Sequence, residues 1–329
     1  MKKVFICLLF APLFASAQNF NPTNEASIGS LQSLFLCDSN TFSYASTVGS
    51  NVTWDYSQLA GIFGVVKDVQ IKDATLDAEY ASFAGAQKTM EIGSTLRTFY
   101  SSDASSRISQ GFVFNEVSLG NVVASWPINN ELLMNYPFAL GASTSDVFDG
   151  TITSTTTGTI PTNGVSMTSA DGIGTLLLPG GSSYSNVLRF HLKDSATAIV
   201  FNTPVHFVRN QFEYYDFTIS NLPIFLYSNI KLESALLNNS STLVLSKDQP
   251  TTFVGLEEND IEAFTIYPNP VQNIIQINGN FDPKELSICD LNGAAQNYSL
   301  ENSTLDVTQL PAGVYFIKSG VFVKKFIKL

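Results

Sequence analysis

The chain of 329 residues has little cysteine and little charge. Its three cysteines are Cys7, Cys37 and Cys289, and no Cys-x-x-Cys or Cys/His cluster indicates a zinc site. Charged residues make up 14% of the chain, whereas an average soluble domain has about a quarter. Long amphipathic helices need many charged residues on their exposed faces, so the shortage argues against a helical fold.

Histidine occurs only twice, as His191 and His206, and the usual catalytic signatures are missing. The sequence has no G-x-S-x-G nucleophile elbow, no H-E-x-x-H zinc motif and no EF-hand loop. We therefore assign no catalytic residue and favour a non-enzymatic protein. A hydrolase with an unrecognised carboxylate pair stays an alternative. The candidate carboxylates for it are Glu116, Asp171, Glu213 and Asp216.

Basic residues are also scarce. Residues 18–260 hold ten Lys or Arg against twenty-two Asp or Glu, and the whole chain has a net charge of −11. Nucleic-acid binding needs clustered Lys and Arg, so nucleic acid is excluded as a partner. Calcium is the one candidate cofactor, because it prefers clustered oxygen ligands such as Asp146 and Asp149. Strand alternation accounts equally well for that spacing, so no metal ligand is assigned.

The first seventeen residues have the three parts of a secretory signal. Two lysines come first, Val4 to Phe14 is apolar, and Ala15-Ser16-Ala17 is a small-x-small cleavage site. The apolar run is shorter than the roughly 20 residues of a membrane-spanning helix. We therefore predict a signal peptide over residues 1–17, cleaved between Ala17 and Gln18. The Sec translocon and signal peptidase would be the partners in this step.

Strand-forming residues dominate the rest of the chain, and Ser, Asn and Gly separate them. The fold class predicted is all-β. Residues 18–255 are expected to form a β-rich passenger domain, sandwich-like and built as one or two units. Within it, Val187 to Lys193 alternates with Leu188, Phe190 and Leu192 on one face. Asp149-Gly150 and Asn163-Gly164 predict turns, and residues 77–86 predict the one helix.

Residues 256–262 form an acidic linker, and residues 263–329 read as a separate small domain. Six or seven short strands alternate there with turn signals such as Asn292-Gly293. This density of strands fits an immunoglobulin-like sandwich. Cys289 in this domain and Cys37 in the passenger are predicted to be small buried residues rather than a disulfide.

Four segments of the last domain resemble the type A C-terminal sorting domain of type IX secretion cargo from Bacteroidetes. They are Tyr267-Pro268-Asn269-Pro270, Ile288 to Gly293, Leu310 to Tyr315 with Gly313, and the basic tail with Lys324, Lys325 and Lys328. The resemblance covers about a fifth of the chain. It implies passage through the periplasm, export by the type IX translocon and removal of the domain by a sortase-like peptidase. The protein would then be secreted or attached to the outer-membrane surface.

Part of the passenger is similar to uncharacterised secreted Bacteroidetes proteins. The similarity lies in Ala170 to Pro179, Tyr184 to Arg189 and Phe212 to Tyr215. It implies no activity and no site residues.

Large aromatic residues supply the candidate ligand contacts, Trp54, Trp126 and Tyr214. The leading hypothesis is a non-enzymatic adhesion or ligand-binding protein. The alternative is a glycan-binding module accessory to polysaccharide degradation, with surface polysaccharide as its partner. It predicts that some of these rings are exposed and coplanar on one face. Packing in a core is the other interpretation of the same residues. Because neighbours on a strand point to opposite faces, one of Tyr214 and Tyr215 is expected to be exposed.

Overall fold

The computed structural model describes residues 18–39, 42–45, 47–93, 96–116, 120–154, 158–200, 203–234, 238–254, 264–279, 281, 283, 286–290, 294–301, 303–319 and 322–329. The predicted signal peptide with Ala17, the linker 256–262 and Gly293 lie outside these residues. The chain divides into two compact units, Met1–Gly255 and Leu256–Leu329. In the described ranges no helix has the length and apolar character needed to cross a membrane.

The described part of both units is built from β-strands, which confirms the all-β class. The strands of the first unit are β1 (Asn19–Phe20), β2 (Leu31–Cys37), β3 (Gly49–Asp55), β4 (Gly61–Asp73), β5 (Lys88–Ile92), β6 (Leu96–Ser102), β7 (Ser106–Glu116), β8 (Gly120–Asn129), β9 (Glu131–Asn135), β10 (Phe138–Ala139), β11 (Ser143–Ser154), β12 (Gly158–Leu178), β13 (Ser182–Val200), β14 (Thr203–Tyr215), β15 (Phe225–Ser234), β16 (Asn238–Ser246) and β17 (Phe253–Val254). Short 3₁₀ turns occupy Pro22–Asn24, Ala74–Leu76, Tyr80–Phe83 and Pro179–Gly181.

Twelve strands of the first unit form one sheet that closes on itself. The order is β2, β4, β5, β6, β7, β8, β11, β12, β13, β14, β15, β16 and back to β2, with antiparallel pairing throughout. The closing seam is short, with Leu36 opposite Leu245 and Phe35 opposite Ser246. One continuous sheet therefore carries both walls, whereas the sandwich-like unit that the sequence predicts would have two separate sheets.

Opposite walls of the closed sheet pack against each other through apolar side chains. The Phe112 ring of β7 lies 5.1 Å from the Phe207 ring of β14 across the interior. On the neighbouring strands β8 and β11, the Trp126 and Phe148 rings lie 4.3 Å apart between centroids. These residues belong to one buried cluster that draws on strands from β2 to β16. Alternation along β13 confirms the predicted inward face, since Leu188, Phe190 and Leu192 are all buried.

Two segments cover part of the outer face of the sheet. Residues 42–59, which include β3, place Tyr44, Trp54 and Tyr56 over β14 and β15. Residues 74–86 place Phe83 over β6 and β8, with the Phe83 and Phe99 rings stacked at 3.8 Å. The predicted helix over residues 77–86 is wrong, because this stretch forms loops and the single turn Tyr80–Phe83.

Gly150 and Gly164 lie inside paired strands, so the turns predicted at these glycines are wrong. In the register of β11 and β12, Asp149 is opposite Asn163. A Cβ atom on Gly150 would lie 1.8 Å from the carbonyl oxygen of Ser125, and one on Gly164 would lie 2.3 Å from the Phe148 ring. The two glycines are therefore explained by close approach of neighbouring atoms, which is a common reason for glycine within a strand.

The second unit consists of two four-stranded sheets around one core. Its strands are β18 (Phe264–Tyr267), β19 (Ile274–Gly279), β20 (Leu286–Asp290), β21 (Ala295–Gln296), β22 (Ser299–Glu301), β23 (Thr304–Asp306), β24 (Gly313–Ser319) and β25 (Phe322–Lys328). One sheet has the order β18-β19-β23-β22 and the other β21-β20-β24-β25. Ile275, Ile288 and Ile317 are among the buried residues between them. The immunoglobulin-like topology stays a prediction.

Cys37 and Cys289 are both free. Cys37 is buried, as predicted, whereas Cys289 is only half-buried. Burial raises the pKa of the Cys37 thiol to about 12, so this thiol is unreactive in the folded protein.

We predict that Gly150→Ala destabilises the first unit. The new methyl group must displace the Ser125 carbonyl or separate β8 from β11, which should lower the free energy of unfolding by at least about 2 kcal/mol. Urea unfolding measures it. Ser145→Ala, on the exposed face of the same strand, should change the value by less than about 0.5 kcal/mol. Equal effects of the two substitutions would contradict the close packing of Gly150.

Candidate functional site

The three aromatic residues predicted to contact a ligand are buried. Trp126 is 1% exposed and lies inside the closed sheet, while Trp54 and Tyr214 are 3% and 0% exposed under the covering segment 42–59. The predicted exposure of these rings is therefore wrong, and so is the exposure of Tyr214 or Tyr215. The reason is that β14 is covered on both faces, by the interior core on one and by residues 42–59 on the other.

Tyr214 belongs to an aromatic cage around the buried guanidinium of Arg189. The Arg189 guanidinium carbon lies 5.2 Å from the Trp54 ring, 4.9 Å from the Phe212 ring and 5.9 Å from the Tyr214 ring. Asp171 neutralises the cation, accepting from Nε at 2.6 Å and from Nη2 at 3.0 Å. Cation–π contacts and a bidentate carboxylate both stabilise a desolvated arginine. The cage thus fixes the covering segment to the sheet.

His191 lies at the border of this cage. Its ring stacks on Phe212 at 4.3 Å, its Nε2 atom is 2.7 Å from Oδ1 of Asn210, and its Nδ1 atom is 3.5 Å from Asp171. Burial lowers the pKa of His191 from its ordinary value of 6.5, so the ring is neutral at pH 7. Its contacts are those of a packed neutral histidine. His206 is exposed, with Nδ1 3.0 Å from the Thr197 hydroxyl.

The interior of the closed sheet contains a buried ion pair. Arg209, 1% exposed, donates from Nη2 to Oδ2 of Asp194 at 2.5 Å and from Nε to the same carboxylate at 3.1 and 3.2 Å. The Phe112 ring lies 4.5 Å from the guanidinium. A pair with this geometry offsets much of the cost of desolvating both charges, and loss of either partner would leave a buried charge.

Glu131 is one of several buried polar groups with atoms that lack a hydrogen-bond partner among the described residues. Its side chain is 0% exposed, and within the described residues neither carboxylate oxygen forms a hydrogen bond of normal geometry. Burial first, and the negative charge of Asp194 second, raise its pKa to about 7. The positive charge of Arg209, and to a smaller degree Ser166, lower the pKa. Glu131 is therefore partly protonated at neutral pH.

Two further carboxylates in the interior, Glu25 and Glu213, accept hydrogen bonds from neighbouring side chains. Glu25 accepts from Arg107 at 2.6 Å and from the Tyr136 hydroxyl, and Glu213 accepts from the Tyr215 hydroxyl and from Gln211. A cavity of about 40 Å³ lies between the two sets, room for two or three water molecules at roughly 15 Å³ each. It is too small for a substrate.

Four carboxylates are the candidates for a hydrolytic pair: Glu116, Asp171, Glu213 and Asp216. The described residues do not bring two of them together as such a pair. Asp171 is bound to Arg189, Glu213 to Tyr215 and Gln211, and Asp216 accepts from Thr218 in its own turn. The side chain of Glu116 lies outside the described residues.

The calcium candidates are held by backbone contacts. Asp146 accepts from the backbone N–H of Leu132 at 2.6 Å, and Asp149 lies in the paired part of β11 opposite Asn163. Groups of three or more metal-ligating side chains are not found among the described residues. A calcium site stays a prediction without a located ligand set.

A surface groove of about 410 Å³ lies where residues 73–78 turn away from the sheet. Lys72, Glu91 and Arg97 line it from β4, β5 and β6, and Asp77 lines it from the segment 74–86. The exposed aliphatic side chains of Ile28 and Leu76 stand at its borders, 54% and 84% exposed. The sequence analysis missed this groove, because its residues come from five separate stretches with no common motif.

In the second unit, Asn269 joins two of the predicted motif segments. Its Nδ2 atom donates to the carbonyl oxygen of Lys325 at 2.9 Å, and its Oδ1 atom accepts from the N–H of Ile327 at 2.9 Å. Val271 continues the contact, donating to Ile327 and accepting from Leu329 at 2.8 Å each. Strand β25 is at the edge of its sheet, so the segment Asn269–Val271 satisfies backbone groups that the edge would otherwise leave unpaired.

Tyr315 holds the turn before β24. Its hydroxyl donates to the carbonyl oxygen of Pro311 at 2.9 Å, its ring stacks on Phe326 at 5.5 Å, and Gly313 lies against the ring. A tyrosine bonded to backbone a few residues upstream is a known corner device of β-sandwiches.

The remaining motif residues differ in exposure. Tyr267 is 55% exposed and Lys325 is exposed, while Lys328 is 8% exposed and Lys324 is intermediate. The peptide bonds before Pro268 and Pro270 are both cis. The motif residues thus combine a packed framework with an exposed basic and aromatic surface.

We predict that Glu131→Gln removes a pH-dependent destabilisation of the first unit. The folded state keeps the Glu131 proton up to about pH 7, whereas the unfolded chain loses it near its ordinary value of 4.5. The free energy of unfolding therefore falls as pH rises between these values, by about 3 kcal/mol at roughly 1.36 kcal/mol per pKa unit. Glutamine should restore that amount at pH 8 and nothing at pH 4.

Chemical unfolding at both pH values measures this difference. Glu233→Gln, at an exposed position on β15, is the control and should shift stability equally at pH 4 and pH 8. The assignment fails if the Glu131→Gln effect is the same at the two pH values.

We also predict that Asn269→Ala frees the edge of β25. Loss of two side-chain bonds to backbone should destabilise the second unit by about 1–3 kcal/mol and speed amide hydrogen exchange at Ile327. The control is Asn273→Ala, since Asn273 is exposed and bonds Val307 only through its backbone carbonyl. Unchanged exchange at Ile327 in Asn269→Ala would show that the side chain does not hold this edge.

The comparisons with known proteins concern the second unit. Residues 265–328 match the family described as a secretion system C-terminal sorting domain. No curated protein matches the chain, and no solved structure matches it. The match supports the prediction of a type IX secretion cargo, and such a sorting domain implies that the protein is secreted or located at the cell surface.

Proposed function

We propose that this protein is a Bacteroidetes cargo exported in two steps. The Sec translocon carries it into the periplasm, and signal peptidase cuts between Ala17 and Gln18. The type IX translocon then recognises the sorting domain 263–329, and a sortase-like peptidase cuts in the linker 256–262. The passenger is released or attached to the outer-membrane surface. The match of residues 265–328 to a sorting domain is the observation that carries this proposal.

The contacts of Gln18 support a mature chain that begins at this residue. Its Nε2 atom donates to Asp216 at 3.0 Å, and its Oε1 atom accepts from the N–H of Phe217 at 2.7 Å. The side chain is 9% exposed. Gln18 is thus part of the folded passenger.

The passenger, in this proposal, acts outside the cell as a non-enzymatic adhesion or ligand-binding protein. Support comes from the state of its carboxylates, since Asp171, Asp194 and Glu213 are each bound to a partner side chain. A catalytic acid or nucleophile must come within hydrogen-bond reach of its substrate, and Asp194 and Glu213 are only 1% and 2% exposed. A binding function makes no such demand of these carboxylates.

A glycan-binding module is the second candidate function. The buried rings of Trp54, Trp126 and Tyr214 give it no support. The surface groove beside residues 73–78 supports it, because the groove volume of about 410 Å³ lies within the range of roughly 300–1,000 Å³ that is typical of small-molecule sites. Its polar floor and aliphatic borders suit a ligand with both hydroxyl groups and apolar faces.

Export can be tested in a bacterium that has a type IX system. The full chain should reach the surface or the medium, while a chain that ends at Gly255 should accumulate in the periplasm. Cell fractionation and immunoblotting measure this distribution, and Ile128→Ser in the passenger is a control that should be exported normally. A truncated chain that reaches the medium as well as the full chain would refute the sorting role.

A further inference from the structure

The surface groove beside residues 73–78 is built from the sheet and from two loops that border it. Its floor is the outer face of β4 to β6, where Gln70 is opposite Glu91 and Glu91 is opposite Arg97. One border is the segment Ile28–Gly29, and the other is the segment Asp73–Ala78. The floor is therefore as rigid as the sheet itself.

Both borders are fixed by hydrogen bonds. Gly29 donates to the carbonyl oxygen of Ile71 at 2.8 Å, and Ile71 donates back to Ser30 at 2.9 Å. Asp73 accepts from the N–H of Thr75 at 2.9 Å and from its hydroxyl at 2.7 Å. A site that is already ordered before binding loses little conformational entropy when a ligand enters.

The charged groups of the floor are already paired with each other. Lys72 contacts Glu91, and Arg97 donates to both oxygens of Asp77 at 2.7 and 2.9 Å. An anionic ligand would have to compete with Glu91 and Asp77 for the cations. A cationic ligand would have to compete with Lys72 and Arg97 for the carboxylates.

A neutral ligand rich in hydroxyl groups avoids this competition. Each hydroxyl can donate to a carboxylate oxygen and accept from an ammonium or guanidinium group. The side chains remain accessible, with 48% of Lys72, 22% of Glu91 and 24% of Arg97 exposed. Ile28 and Leu76 at the borders offer aliphatic surface to the C–H faces of sugar rings.

We propose that this groove binds a short segment of neutral polysaccharide. The proposal rests on the proposed function in one respect, namely that the passenger meets its ligand outside the cell. Glu91 and Arg97 would bind the hydroxyl groups, and Leu76 would pack against a ring face. The site requires no metal and no bond cleavage.

Isothermal titration calorimetry on the purified chain 18–329 tests the proposal. The probes are cellotetraose, xylotetraose, mannotetraose and chitotetraose, each at concentrations up to about 1 mM, which corresponds to weak but measurable affinity. At least one probe should bind. Leu76→Ser and Glu91→Gln should each weaken that binding by about tenfold, a loss of roughly 1.4 kcal/mol.

The variants are chosen to leave the fold intact. Leu76 is 84% exposed, and an accessible ion pair such as Lys72–Glu91 contributes only about 0–1 kcal/mol to stability. Melting temperatures check this for each variant. The matched control is Ile128→Ser, an apolar residue 75% exposed on β8 outside the groove, which should bind the probe as the unchanged chain does.

Three results would overturn the proposal. One is that none of the four tetrasaccharides binds; another is that one binds but neither Leu76→Ser nor Glu91→Gln weakens it. A mixed-charge peptide that binds in the groove where the sugars do not would likewise reject a saccharide ligand. If Leu76→Ser and Glu91→Gln are exported normally in the fractionation assay, such a result would reject only the ligand proposed for the groove. The proposed export route would be unaffected.

Discussion

Closure of the first sheet is the constraint on which the rest of the passenger depends. The strands of the ring follow one another in chain order, and the short seam between β2 and β16 joins the beginning of the unit to its end, together with the pairing of β17 with β4. Closure pairs β2 with β16 at the seam and so shortens the open edges of the sheet, and open edges are sites of unwanted pairing. It also creates an interior in which every polar group must find a partner.

The charged groups inside show how that requirement is met and where it is not. Asp194 pairs with Arg209, and Glu25 pairs with Arg107. Glu131 forms no ion pair of this kind among the described residues, and burial, followed by the negative charge of Asp194, raises its pKa. The stability of the passenger is thereby coupled to pH near neutrality. On the outer face of the sheet, the aromatic cage around the desolvated Arg189 cation holds the covering segment 42–59.

The sequence allows the all-β class and the inward face of β13 to be predicted, because local alternation records burial directly. It does not allow the burial of Trp54 and Tyr214 to be predicted, since their cover comes from residues about 160 positions away along the chain and tertiary packing decides it. The Asp149-Gly150 pair predicts a turn, and only the pairing of β11 with its neighbours shows that Gly150 lies within a strand. The sorting motif is recognisable in order and spacing, yet the edge contact of Asn269 requires the register of β25.

Among the described residues, the strand pairings of the passenger sheet use none beyond Val254. Separation from the sorting domain within residues 256–262 would therefore leave these described pairings in place. The most direct test of this account is the intact mass of the protein recovered from the cell surface or the medium. We expect a chain that begins at Gln18 and ends within the linker, with any surface lipid or glycan as an added mass. A mass that corresponds to a chain ending at Leu329 would contradict the account.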